Sequence, residues 1–153
     1  MSIVKIYMDV CALKRPFDDR SQPRIEAEAV AVLEILGRVQ SGNDLLVWSS
    51  ALKFENDADP DLEVRQVVAE CGGLSDELVV LLPEAERRIS DLVKLGLTPL
   101  DAAHLALAEA AGCDVLLTCD DRFMRRANRG PTYSKVLNPV QYLQEVSDDQ
   151  PPE

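Results

Sequence analysis

Apolar residues along this chain fall into short continuous runs that alternate with longer segments of helical spacing. The run from Ile3 to Met8 is rich in β-branched residues and predicts a strand that ends at Asp9. From near Ser21 to Gln40, apolar Ala27, Val30, Ala31, Leu33, Leu36 and Val39 recur at helical intervals, and Ser41-Gly42-Asn43 stops that helix. Leu45 to Trp48 predicts a second buried strand, followed by a short helix carrying Glu55. Pro60 suits the first turn of a helix that continues to about Glu70 and ends at Gly72-Gly73. Leu78 to Leu82 predicts a third strand, and Pro83 opens a helix that Gly96 closes near Leu95. Thr98-Pro99-Leu100-Asp101 is a helix start: a hydroxyl at the cap, proline in the first turn, an acid two residues later. The Ala- and Leu-rich segment after it predicts a helix buried on most sides and ended by Gly112. Val115 to Leu117 is a further strand, a short basic helix follows, Lys135 to Leu137 is the last strand, and Pro139 starts the terminal helix.

Strands that alternate with helices imply an α/β fold of three layers, α/β/α, around a central, mostly parallel sheet. Right-handed crossovers place the carboxyl ends of such strands along one edge, where open sheets bind their ligands. The length of 153 residues fits one domain, taken as 1–146, with 147–153 as an acidic flexible tail.

Four acids map to that edge. Asp9 follows the first strand, Glu55 stands one short turn beyond the second, Asp101 is in the first turn of its helix, and Asp120 lies just past a later strand. Each alone fits a plainer role: Asp9 and Asp120 as turn caps, Asp101 as the acid of a capping box, Glu55 as a solvated helix residue. Their coincidence on one edge is what points to chemistry. Two carboxylates about 4 Å apart repel by roughly 4 kcal/mol at an effective dielectric of about 20, so a cluster needs a cation or a proton. All-oxygen ligands select hard cations, Mg²⁺ or Mn²⁺, which activate water and clamp the oxygens of a phosphodiester. Hydrolysis of that kind is expected to leave a 5′-phosphate and a 3′-hydroxyl.

The net charge of −11 argues against binding nucleic acid by bulk electrostatics. Part of it is local, since Glu145, Asp148, Asp149 and Glu153 stand near the C-terminus, where Lys and Arg are missing from Pro139 onward. Against that acidity, Arg122, Arg125, Arg126 and Arg129 recur at helical spacing just after Asp120, as RNA-phosphate contacts or as a solvated basic face. Lys14 and Arg15 are weaker candidates of the same kind. Cys11, Cys71, Cys113 and Cys119 lack zinc-site spacing and read as reduced, buried thiols. The single histidine, His104, reads as a packed or hydrogen-bonded residue, Trp48 as core, and Phe54 as a side chain able to stack a base. No apolar run suggests a membrane span and no signal peptide is evident, so a cytoplasmic location is expected.

The segments IYMDVCALKRPFDD, LTPLDAAHLALAEAAGCDVLLTCDDRFMRRA and KVLNPVQYL together resemble bacterial PIN domains, and the resemblance spans nearly the whole chain. It implies a PIN-like fold and a Mg²⁺- or Mn²⁺-dependent endoribonuclease. Asp9, Asp101 and Asp120 match the family's metal-binding aspartates, and Glu55 is the best match to its glutamate. Thr118 matches the Thr of a Thr-x-Asp turn, Asp121 rivals Asp120, and Glu28 rivals or supplements Glu55. The resemblance further implies RNA as substrate, a homodimer and, for members of the VapC toxin type, an antitoxin partner. Asp18 and Asp19 fall in a loop over the cleft with no assigned role.

Other families with an acid after the first strand fit less well. A phosphatase of the haloacid dehalogenase type needs a second Asp where Cys11 stands, and a Rossmann cofactor site needs glycines where Val10-Cys11-Ala12 stand. A response-regulator receiver needs an acidic pair that is not clear here. The main alternative is a non-catalytic RNA- or protein-binding module that retains the PIN fold.

Overall fold

The computed structural model describes residues 3–148, with the side chain of Asp148 left aside. Five strands form one parallel sheet flanked by helices: β1 (Val4–Met8), β2 (Asp44–Ser49), β3 (Glu77–Val79), β4 (Val115–Leu117) and β5 (Lys135–Leu137), in the order β3-β2-β1-β4-β5. The helices are α1 (Val10–Leu13), α2 (Pro23–Gln40), α3 (Ser50–Asp57), α4 (Leu62–Gly72), α5 (Ala85–Leu95), α6 (Pro99–Ala110), α7 (Asp121–Ala127) and α8 (Pro139–Asp148), with a single 3₁₀ turn at Arg15–Phe17.

The central strand is aliphatic apart from Lys5 and Tyr7, and it is covered on both faces: Ile6, Tyr7 and Met8 are all fully buried. A parallel strand buried on both sides reads as a near-continuous apolar run. Helices α2 and α8 pack against one another, as do α5 and α6, and α6 lies against β2 and β4. No helix among the described residues is long and apolar enough to cross a membrane.

The order places β1 between β2 and β4. The chain leaves β1 toward β2 and β3, then returns to β4 on the other side of β1 and continues outward to β5. Connections from β1 and β4 therefore diverge in opposite directions, the arrangement that in open sheets leaves room for a ligand beyond the carboxyl ends. Asp9 and Asp120 follow those two strands.

Several expected elements differ in detail. In α2 the buried side chains are Glu28, Ala29, Ala31, Val32, Ile35 and Val39, whereas Ala27, Val30 and Leu33 face outward. Leucine and valine outside the stripe blurred its position, and a buried glutamate was hidden inside it. Pro60 lies outside α4; Asp61 caps that helix through the Glu63 and Val64 N–H groups. The third strand stops at Val79, because it is an edge strand with one neighbour, and Leu81 and Leu82 beyond it are exposed. Pro83 precedes the first turn of α5, which begins at Ala85 and ends at Gly96 with φ 116°. At that left-handed position glycine avoids the Cβ penalty. The tail expected from residue 147 begins inside α8, which continues to Asp148; residues 149–153 lie outside the described residues.

A buried polar cluster that sequence reasoning missed closes the opposite end of the sheet. Asp44, at the start of β2 and fully buried, accepts from Arg38 Nε (2.9 Å) and Nη2 (3.3 Å) and from the Tyr142 hydroxyl (2.9 Å). It joins α2, β2 and α8.

Candidate active site

The strand ends set the first two acids. Asp9 extends β1 by one residue, its N–H donating to Leu117 O at 3.1 Å. It also caps α1: Oδ1 accepts from the Ala12 N–H (3.0 Å) and from Cys11 Sγ (3.0 Å). The capping role read from sequence is therefore real. Burial pushes its carboxyl above the usual range, and bonds from Cys11, Thr118 and Ala12 only partly offset that. Thr118 is fully buried just past β4, and its Oγ1 accepts the Asp120 N–H at 3.1 Å, which shapes the turn. Asp120 is exposed, and its Oδ1 caps α7 by accepting from the Arg122 (2.8 Å) and Phe123 (3.3 Å) N–H groups.

Helices bring the other two. Thr98 caps α6, its Oγ1 accepting the Asp101 N–H at 3.2 Å, with Pro99 in the first turn as the sequence indicates. The Asp101 carboxyl is pushed up to about 6, first by burial; Thr98 opposes this, and the negative charges of Asp9 and Asp120 add to it. Three acids from three elements thus share one electrostatic neighbourhood. No Lys or Arg pairs with any of them among the described residues.

Glu55, on α3, is half-buried and sits beside the fully buried His104: His104 Nε2 lies 2.9 Å from Glu55 Oε1. The histidine's other nitrogen, Nδ1, is 2.6 Å from the Tyr7 hydroxyl, which is itself 2.6 Å from Ser49 Oγ. Tyr7 is two residues before Asp9 on the same face of β1. Burial raises its pKa above the normal phenol value, and the charges of Asp9 and Glu55 raise it further. Tyr7 and Ser49 escaped sequence reasoning; the available signal was an aromatic hydroxyl in an aliphatic strand, two positions from a candidate acid.

The rivals are committed elsewhere. Glu28 is buried against Arg15 (Nε 2.9 Å, Nη2 2.7 Å), with Arg24 Nε at 3.5 Å and Asn138 Nδ2 also donating to it. Asp121 is exposed and forms two bonds to Arg24. Arg15 also holds Asp18 at 3.0 Å, so its guanidinium is not free for phosphate, and Lys14 Nζ is 3.7 Å from Asp59. Asp19 holds the Ser21 N–H and hydroxyl.

The four arginines do not share one helical face. Arg122, Arg125 and Arg126 belong to α7, but Arg129 lies two residues past its end, and its guanidinium packs against Gly96 at the C-terminus of α5. The Arg126 side chain reaches the same glycine. A helix C-terminus attracts cations, so the Arg129 guanidinium has a structural occupation, while Arg126 contributes its aliphatic stem there. Arg122 and Arg125 are exposed, and neither forms an ion pair among the described residues.

The four cysteines are free; Cys113 and Cys119 are buried, Cys11 and Cys71 half-buried. Trp48 is half-buried and packs on the core and on Gly72, whereas Phe54 is 72% exposed one residue before Glu55.

The donors suit a hard cation: carboxylate oxygens dominate, and their mutual repulsion is uncompensated by protein cations. Among the described residues no group of three or more His, Cys, Asp or Glu side chains is arranged so that it could hold a metal ion.

A family model described as "PIN domain" matches residues 15–129, a span that contains Glu55, Asp101 and Asp120 and begins after Asp9. No curated protein matches the chain. Among solved structures the chain is similar to PAE2754 from Pyrobaculum aerophilum, with 18% identity and a TM-score of 0.54 over 96% of this chain and 91% of that one. At that identity the likeness shows the fold.

Proposed function

The chain belongs to the PIN-domain family, and from that premise we propose that it is a metal-dependent endoribonuclease, hydrolysing RNA phosphodiester bonds with Mg²⁺ or Mn²⁺ held by Asp9, Asp101, Asp120 and Glu55. One observation supports this reading: burial first, and then the negative charges of Asp9 and Asp120 from two other elements, push the Asp101 carboxyl up to about 6, and no arginine or lysine pairs with it among the described residues. A purely structural cluster would be expected to carry its own counter-charge, as Glu28 and Asp44 do with Arg15 and Arg38.

A divalent cation, if bound by these acids, would supply positive charge to the reacting phosphodiester and make a water more acidic. The chain's own residues do the rest. Cys11 and Ala12 fix Oδ1 of Asp9. Thr118 and the first turn of α7 fix Asp120. Arg122 and Arg125, exposed and without an ion pair among the described residues, would hold phosphates flanking the scissile bond. Exposed Phe54 beside Glu55 offers a surface on which a base can stack. A toxin role with a cognate antitoxin, action in the cytoplasm, and a homodimer belong to the same proposal.

The test is a melting-temperature titration with Mn²⁺, followed by an RNA cleavage assay with and without EDTA. Mn²⁺ is expected to stabilise the protein, and much less so the Asp9→Asn and Asp101→Asn variants. Cleavage is expected only with metal. A wild type that ignores Mn²⁺ and leaves RNA intact overturns the enzyme reading in favour of a binding module.

A further inference from the structure

We propose that His104 is the positioning residue for Glu55: as its Nε2–H tautomer it holds carboxylate Oε1 at the cleft, and it is fixed in that tautomer by a one-way hydrogen-bond chain through Tyr7 and Ser49.

The direction follows from counting donors. Ser49 caps α3, so its Oγ already accepts the Leu52 N–H at 3.1 Å. A hydroxyl has one proton to give, and the Tyr7 oxygen at 2.6 Å is there to receive it. Tyr7 then spends its own proton on His104 Nδ1, also at 2.6 Å. Nδ1 is thereby an acceptor, so the ring proton sits on Nε2 and points to Glu55 Oε1 at 2.9 Å. Run in the opposite sense, the chain puts a bare Nε2 lone pair against a carboxylate oxygen and gives the Ser49 proton no acceptor within the chain. Burial holds Tyr7 as an uncharged phenol and so as a donor.

The four groups form a closed loop through the fold. Ser49 ends β2 and caps α3, Glu55 lies on α3 one to two turns later, His104 is on α6, and Tyr7 is on β1. The loop therefore ties the position of Glu55 to the strand that carries Asp9 and to the helix that carries Asp101. His104 accounts for the only hydrogen bond that the Glu55 carboxylate makes among the described residues, and it leaves Oε2 free. This inference rests on the proposed metal site for its consequence, though not for its geometry.

Two measurements test it. The chain contains one histidine, so a ¹⁵N NMR spectrum of the metal-free, tag-free protein reports this ring alone. The expected spectrum has a pyrrole-type, proton-bearing Nε2 and a pyridine-type Nδ1, and Tyr7→Phe is expected to blur that preference. A proton on Nδ1, alone or in a doubly protonated ring, overturns the proposal while leaving the nuclease reading intact. Second, Mn²⁺ binding is measured by calorimetry. His104→Ala is expected to weaken it about 10- to 100-fold, the range for groups that orient metal ligands. His104→Gln, which keeps an N–H near the Nε2 position, is expected to recover most of the loss. If His104→Ala fails to fold, Tyr7→Phe, which lacks one hydroxyl, carries the same test with a loss of about tenfold. A wild type that binds Mn²⁺ and a folded variant that binds it equally well overturn the positioning role alone. No Mn²⁺ binding by the wild type overturns the metal reading and the role together.

Discussion

Arg24 grips Asp121 through two hydrogen bonds, 2.8 Å from Nη1 and 2.6 Å from Nη2, and so separates two adjacent acids that the sequence leaves as rivals. Asp120 has no such partner, and its charge reaches Asp101. Asp120→Asn is expected to lower the cleavage rate by more than about 100-fold, beyond the range for outer groups around a metal. Asp121→Asn removes an exposed ion pair of little energetic weight and is expected to change the rate less than about threefold. Single-turnover cleavage of one RNA by both variants checks this, and equal losses would contradict the assignment.

The pH dependence of the metal-free protein follows from Asp101. Its folded pKa, about 6, lies above the ordinary aspartate value of roughly 3.9. Between those limits the folded state binds more protons than the unfolded chain. Stability is therefore expected to fall as pH rises from about 4 to about 6 and to level off above that window. Asp9, shifted in the same direction by burial, contributes with the same sign. Melting curves across that range should show the slope in the wild type and a shallower one in Asp101→Asn. Because cation and proton compete for the same oxygens, saturating Mn²⁺ should flatten the slope.

The Arg38–Asp44–Tyr142 cluster stands at the far end of the sheet from the acids. Tyr142→Phe removes one hydrogen bond to a buried charge and is expected to cost about 1.5–3 kcal/mol. Asp44→Ala leaves Arg38 without its carboxylate and is expected to cost about 3–5 kcal/mol. Urea denaturation measures both. Cleavage by the folded Tyr142→Phe protein is expected to match the wild type.

The arginines after Asp120 should divide by location. Arg122→Ala and Arg125→Ala are each expected to weaken RNA binding and to lower the slope of log affinity against log salt by about 0.7, one single-strand phosphate contact each. Arg126 and Arg129, packed at the end of α5, should affect melting temperature more than the salt slope. Fluorescence anisotropy with a catalytically inactive background variant, such as Asp120→Asn, distinguishes the two pairs.

What could be read from the sequence was local. Thr98-Pro99-Leu100-Asp101 announces its helix start because cap, proline and acid lie within four residues. Asp9 and Asp120 were legible for a similar reason, since each stands at the end of a recognisable apolar run. The committed state of Glu28 was not legible: its partners Arg15, Arg24 and Asn138 are up to 110 residues away in sequence. The same holds for His104, whose proton is directed by Tyr7, 97 positions upstream, onto Glu55, 49 positions upstream. Helical periodicity located α2 and placed Ala31, Leu36 and Val39 correctly, but it misplaced the rest of the stripe, because an ion-paired glutamate occupies a core position while Ala27, Val30 and Leu33 do not.

The hydrogen bond from the Asp9 amide to Leu117 O has one more implication. It is a main-chain link between neighbouring strands, so the spacing from Asp9 to the turn bearing Asp120 is dictated by the ladder itself. Side-chain replacement cannot delete that link, short of proline. The exposed positions of α3 and α7, Phe54, Arg122 and Arg125 among them, are under no such constraint. If the proposed activity holds, its substrate preference is best recoded at those exposed positions, with Glu55 and the two inner strands left untouched.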